Sequence, residues 1–145
     1  MRRFQFGVLV SMLGLAACGG NGSNDGTNNP AAPMTYTLWQ NQAGTMPAAR
    51  AFEAGPFSLP TTGTVTYTIT NRSSTSPDHW DISIIPASEL SFFENGQSYR
   101  GYAPFANVST QSGSASVPAG SYTIGIVCRN ILEDCQFSLD GTMTY

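Results

Sequence analysis

The chain has 145 residues, only 10 % of them charged, and its six basic residues are all arginine. Thr, Ser, Gly, Asn and Pro stand where charge would be, the usage of an exported β-rich protein rather than a cytosolic helical one. With a formal net charge of −3 and no basic stripe to release phosphate counterions, the chain is not a nucleic-acid binder.

The amino terminus comes first. Met1-Arg2-Arg3 form a positive start, an apolar run extends from Phe6 to Leu15 with breaks only at Gly7, Ser11 and Gly14, and small residues lead to Cys18. The run is too short to cross a hydrocarbon layer of ~30 Å, yet it suits the apolar centre of an export signal. Its closing tetrapeptide, Leu15-Ala16-Ala17-Cys18, resembles the lipobox of bacterial lipoproteins. That resemblance implies a signal peptide over residues 1–17, cleavage after Ala17, a diacylglyceryl group on the Cys18 sulfur and acylation (palmitate or similar) of the new amino group. Two or three acyl chains anchor stably where one would be marginal. The competing reading is an ordinary secretory signal with an incidental cysteine. Gly19, rather than an aspartate, follows the cysteine, so the resemblance further implies lipid anchoring in the outer membrane, at its periplasmic or cell-surface face. Without Arg2 and Arg3 the mature part keeps four arginines against nine carboxylates, about −5. Residues 18–33 hold the lipidated cysteine and a stretch with no large apolar side chain, which predicts a flexible linker.

From Met34 to Tyr145 alternation with a period of two recurs, and helical periodicity never extends over ten residues. Thr35 to Gln40 and Ala51 to Ser58 are short strand candidates. Gly63 to Thr70 places Val65, Tyr67 and Ile69 on one face against four threonines on the other. Trp80, Ile82 and Ile84 alternate with Asp81 and Ser83. Pro86 to Phe93 has room for one helical turn, and Ser98 to Tyr102 and Ser114 to Val117 are further short strands. Tyr122, Ile124 and Ile126 make another inward row, as do Phe137, Leu139, Met143 and Tyr145. Pro60, Pro77, Pro86, Asn95-Gly96, Pro104 and Pro118-Ala119-Gly120 punctuate the gaps. The fold class is all-β: a small antiparallel β-sandwich over residues 34–145, of jelly-roll or immunoglobulin-like type.

Cys128 shares the parity of Tyr122, Ile124 and Ile126, and Cys135 that of Phe137 and Leu139. With Cys18 taken by lipid, these two pair off in an oxidising compartment. If they face each other on adjacent antiparallel strands, Ile126 meets Phe137 and Ile124 meets Leu139, which predicts a terminal hairpin closed by Arg129 to Asp134. A redox or metal pair is the alternative, but six intervening residues fit no compact thiol motif, and the chain's one histidine cannot complete a tetrahedral zinc site.

The string Val117-Pro118-Ala119-Gly120-Ser121-Tyr122-Thr123-Ile124-Gly125-Ile126, followed by a last strand from Gln136 to Tyr145, resembles the end of bacterial pre-peptidase C-terminal domains. Trp80-Asp81-Ile82-Ser83-Ile84 matches their middle strand, so the resemblance covers residues 52–145. It implies a small secreted jelly roll with a binding or accessory role. The acidic run expected beside that middle strand is missing here.

For chemistry, a serine hydrolase needs a histidine base, and His79 is the only candidate, with Asp78 and Asp81 beside it to orient the ring. No Gly-x-Ser-x-Gly elbow accompanies it, so a solvated loop histidine is the simpler reading. The spacing of Glu53, Glu89, Glu94, Glu133 and the aspartates nominates no pair for glycoside cleavage, and no phosphate loop, dinucleotide fingerprint or metal signature is present. The expectation is therefore a protein without catalytic activity, cofactor or metal. Trp39, Trp80, Tyr99 and Tyr102 are dense aromatics for so polar a domain, and sugars stack on such rings. Trp80, Tyr99, Tyr102 and His79 are the candidate ligand contacts, although the parity of Trp80 with Ile82 and Ile84 also suits a core position. The segment from Phe92 to Tyr102 reads either as a binding edge or as an ordinary turn. The function expected is a membrane-anchored envelope lipoprotein with a β-sandwich binding module for glycans. The alternative is a structural or interaction lipoprotein whose partner is another envelope protein, and a remote one is a hydrolase using His79.

Overall fold

In the computed structural model, residues 32–48, 51–73, 78–130 and 132–145 are described; the expected signal peptide, Cys18 and nearly all of the expected linker lie outside them. Among the described residues the period-two segments become eight strands: β1 (Thr35–Met46), β2 (Ala51–Leu59), β3 (Gly63–Asn71), β4 (Trp80–Pro86), β5 (Tyr102–Val108), β6 (Gln111–Val117), β7 (Gly120–Cys128) and β8 (Cys135–Thr144). They form two four-stranded antiparallel sheets, with orders β1-β8-β3-β6 and β2-β7-β4-β5. Successive strands mostly change sheet, and only β4 and β5 are joined as a hairpin. Of the two sandwich types expected, this order is the jelly roll.

The predicted inward rows close on each other between the sheets. Val65, Ile69, Trp80, Ile84, Val117, Ile124 and Ile126 are all fully buried, with Tyr67, Ile82, Phe137 and Leu139 beside them. Trp80 meets Phe137 edge to face at 5.3 Å, and Trp39 meets Phe57 in the same way at 5.8 Å, geometries that suit the ring quadrupoles.

Two expectations change. The terminal hairpin does not exist: β7 pairs with β2 and β4, while β8 pairs with β1 and β3. Cys128 and Cys135 are joined by a disulfide, with Cα atoms 6.1 Å apart, but they bridge the two sheets rather than neighbouring strands. Apolar rows that face one another across a sandwich show the same matching as rows on paired strands, so parity alone could not separate the two. The strand expected over Ser98 to Tyr102 is also displaced. Residues 97–100 are irregular and β5 begins at Tyr102, running through Pro104. Proline is tolerated there because β5 is an edge strand with register shifts on both sides of Ile82 and with Ala103 and Asn107 at positive φ.

The single turn expected after Pro86 is a 3-10 turn at Ala87–Glu89 continuing into a short helix, α1 (Leu90–Glu94). Its Phe93 is buried over Gly125 of β7, where an added Cβ would collide with the Ile85 side chain and lie 2.8 Å from the Phe93 ring. Glycine is what lets the helix seat so closely. Gly101 next approaches Ser83, whose hydroxyl donates to the Tyr102 carbonyl at 3.2 Å. The outer face of the β2-β7-β4-β5 sheet is thus roofed over by its own chain, and the outer face of the other sheet is left open.

Candidate binding face

The open face is built from the polar half of each alternation. Register aligns Thr35, Thr144, Thr64 and Ser116 in one row across β1-β8-β3-β6, and Thr37, Thr142, Thr66 and Ser114 in the next; Asp140, Thr68 and Ser112 follow. Hydroxyls join neighbours in these rows: Thr35 with Thr144 at 2.8 Å, Thr66 with Thr142 at 3.3 Å and Thr68 with Ser112 at 2.7 Å. Such pairs hold side chains in place and leave lone pairs and methyl groups toward solvent.

At the end of this face nearest the disulfide, an open concavity of about 370 Å³ is lined by Ala43, Gly44, Thr45, Arg72, Gln136 and Phe137. A bulge positions its cation. Between Trp39 and Gln42 strand β1 gains a residue relative to β8, and Asn41 there takes φ +46, a conformation asparagine tolerates better than most residues. The Asn41 N–H donates to Asp140 Oδ1 at 2.7 Å, and Arg72 Nη1 donates to Asn41 Oδ1 at 3.4 Å. The Arg72 backbone is fixed by its N–H donating to the Gln136 carbonyl at 2.8 Å, one step beyond the β3–β8 ladder. Arg72 therefore presents its remaining donors beside the Gln136 amide and the Thr45 hydroxyl, all exposed. A set of neutral and cationic donors with hydroxyl acceptors suits a polyhydroxylated ligand.

The residues singled out in the sequence lie elsewhere. Trp80, a candidate contact, is fully buried and offers no face to a ligand; among the described residues its indole Nε1 has no hydrogen-bond partner. Tyr99 and Tyr102 are half-buried and packed against different partners: Tyr99 on Phe93 at 5.3 Å and Tyr102 on Tyr122 at 6.1 Å, both edge to face. They make no stacking row. The Phe92–Tyr102 segment folds back on α1, with the Arg100 N–H donating to Glu89 Oε2 at 3.0 Å. Burial, with Asp81 nearby, raises the Tyr99 pKa, which keeps that phenol neutral as a donor.

His79 is exposed, and among the described residues nothing hydrogen-bonds to its imidazole. Its carbonyl accepts the Arg129 N–H at 2.8 Å. The aspartates proposed to orient it are otherwise engaged. Asp78 is buried and accepts the Gln136 N–H at 2.8 Å and Asn130 Nδ2 at 3.4 Å. Asp81 accepts the Asn107 N–H at 3.0 Å and pairs with Arg129, whose pKa it raises. These carboxylates pin loops. No three His, Cys, Asp or Glu side chains meet at metal-binding distance among the described residues.

The sequence reading missed Arg72, Gln136 and Thr45. Their signal was faint: Arg72 follows the threonine-rich strand directly, but nothing in one chain's pattern shows that β8 lies beside it and β1 beyond. Also missed was the pair of exposed Tyr36 and half-buried Tyr145, stacked at 5.1 Å with planes 12° apart.

No protein-family model matches the chain, and no curated protein matches it in sequence. Among solved structures, the VP2 subviral particle of infectious bursal disease virus aligns over 78 % of this chain at 11 % identity and TM-score 0.53. That alignment takes in 32 % of VP2, so the chain spans about a third of its length. The pre-peptidase C-terminal domain of a Bacillus anthracis collagenase aligns over 76 % of the chain and 87 % of its own length, at 12 % identity and TM-score 0.43. The C-terminal CBM6 of LamC, a marine laminarinase from Zobellia galactanivorans, aligns over 79 % of the chain and all of its own, at 11 % identity and TM-score 0.40. At such identities the VP2 likeness is one of fold. The chain is a jelly-roll β-sandwich.

Proposed function

We propose that the chain is a membrane-anchored envelope lipoprotein whose sandwich is a non-catalytic, glycan-binding module. The observation that carries this reading is the open hydroxyl face ending in the concavity held by Arg72, Gln136 and Thr45. Its volume falls within the range of small-ligand sites, ~300–1,000 Å³. The aromatic platform expected from the sequence plays no part; hydrogen bonds orient the sugar instead. The anchor rests on the order of charge, apolar run and lipobox before Cys18.

Titration with peptidoglycan-derived and other envelope glycans tests the ligand. Binding should weaken roughly tenfold or more in Arg72→Ala, because a charged hydrogen bond contributes about 1.5–3 kcal/mol, and stay unchanged in Tyr102→Phe. Equal binding by Arg72→Ala would move the site elsewhere. Palmitate labelling tests the anchor separately: label should enter the native protein and not Cys18→Ala.

A second reading, a structural or interaction lipoprotein, is favoured by one specific feature, the unbulged edge of β6.

A further inference from the structure

Each sheet of an open sandwich leaves two edges, and three of the four here are blunted. Strand β1 carries two register shifts and the positive-φ Asn41. Strand β2 shifts register across Gly55 and Pro56. Strand β5 carries two shifts, Pro104, and positive φ at Ala103 and Asn107. Bulges and prolines of this kind keep another strand from pairing. Strand β6 has neither. It pairs with β3 in unbroken register from Gly63↔Val117 to Ile69↔Gln111, and its sequence, QSGSASV, holds no proline and no charge.

We infer that β6 is a self-association edge, at which two copies of this chain pair antiparallel into one continuous sheet. The inference is independent of the glycan reading. Electrostatics selects the occupant. No residue from Gly101 to Cys128 is charged, so the two edge strands on this side, β5 and β6, carry no charge on a chain of net charge −3. Two copies of like charge meet there with least repulsion.

The backbone sets the register. Gln111 Nε2 donates to the Ser112 carbonyl at 3.0 Å, which places that carbonyl on the side away from β3. By the alternation of an antiparallel ladder, Ser112, Ser114 and Ser116 then turn their N–H and C=O groups outward. A two-fold axis through Ser114 pairs Ser114 with its own copy and Ser112 with Ser116, giving about six hydrogen bonds; any other centre gives fewer. Opposed side chains are then serine against serine and glycine against alanine, small enough for close approach. The product is a sheet of order β1-β8-β3-β6-β6-β3-β8-β1 in which the hydroxyl face is doubled.

Full-length protein carrying Ser114→Cys, oxidised in the native envelope, should form a disulfide-linked dimer, whereas Thr64→Cys, exposed on the same face, should not. Sedimentation equilibrium of the full-length protein in detergent should show a dimer whose dissociation constant rises roughly tenfold in Ser114→Lys, where like charges stand opposed, with the melting temperature of dilute, monomeric protein unchanged. A monomer at every concentration, crosslinking of Ser114→Cys no greater than that of Thr64→Cys, or a dimer indifferent to Ser114→Lys would overturn the inference.

Discussion

Tyr67 shows how a single residue couples core to edge. Its ring is buried between the sheets, and its hydroxyl donates to the Ala103 carbonyl at 2.5 Å, securing a residue held at φ +43 in β5. Burial, with Tyr99 nearby, raises its pKa above the ordinary tyrosine value. The folded state therefore holds the phenol proton more tightly than the unfolded chain does. This contribution is complete below pH ~10, where unfolded tyrosine ionises, and is lost as pH rises beyond it. Thermal melts across the alkaline range should fall less steeply for Tyr67→Phe than for the native protein, while at neutral pH that substitution costs about 1 kcal/mol for the lost hydrogen bond. Parallel slopes would show that the phenol titrates freely. Trp80 teaches the complement. Its parity with Ile82 and Ile84 showed in the sequence and suited a core position, and the core reading prevails because burial against Phe137 outweighs an unpartnered indole N–H.

For the elements, alternation was the legible signal, and most strands fall where it runs unbroken. It failed where tertiary context decides. Strand β5 was hidden because its bulges break the period and Pro104 reads as a breaker, and the β7–β8 relation was mistaken because parity fixes the face of a strand and not its neighbour. Arg72 could not be read as a site residue, since its partner Asn41 arrives from 31 positions away. The disulfide consequently staples the sheets together at one end of the sandwich. Replacing Cys128 and Cys135 by serine should cost about 2 to 3 kcal/mol in denaturant unfolding, the loop-closure value for so short a loop. A negligible loss would mean that the sheets are held without it. Gly125→Ala probes the roof: its Cβ has no room under Ile85 and Phe93, so it should destabilise by about 1–3 kcal/mol and expose α1 to proteolysis.

On the scale of the whole molecule, the chain divides its surfaces. One sheet is roofed by α1 and the segment after it, the other lies open with hydroxyl rows, one flank is free of charge, and the carboxylates near His79 hold loops. On the proposed reading such a domain works from a lipid anchor, where an open polar face can meet envelope polymers. The proposed function turns on where a sugar would be held. Backbone amide NMR of the protein titrated with peptidoglycan-derived glycan measures this most directly: the account predicts that shifts concentrate at Thr45, Arg72 and Gln136 and extend along the β8 and β3 threonines. Shifts confined to Tyr99, Tyr102 and His79, with the open face silent, would contradict it.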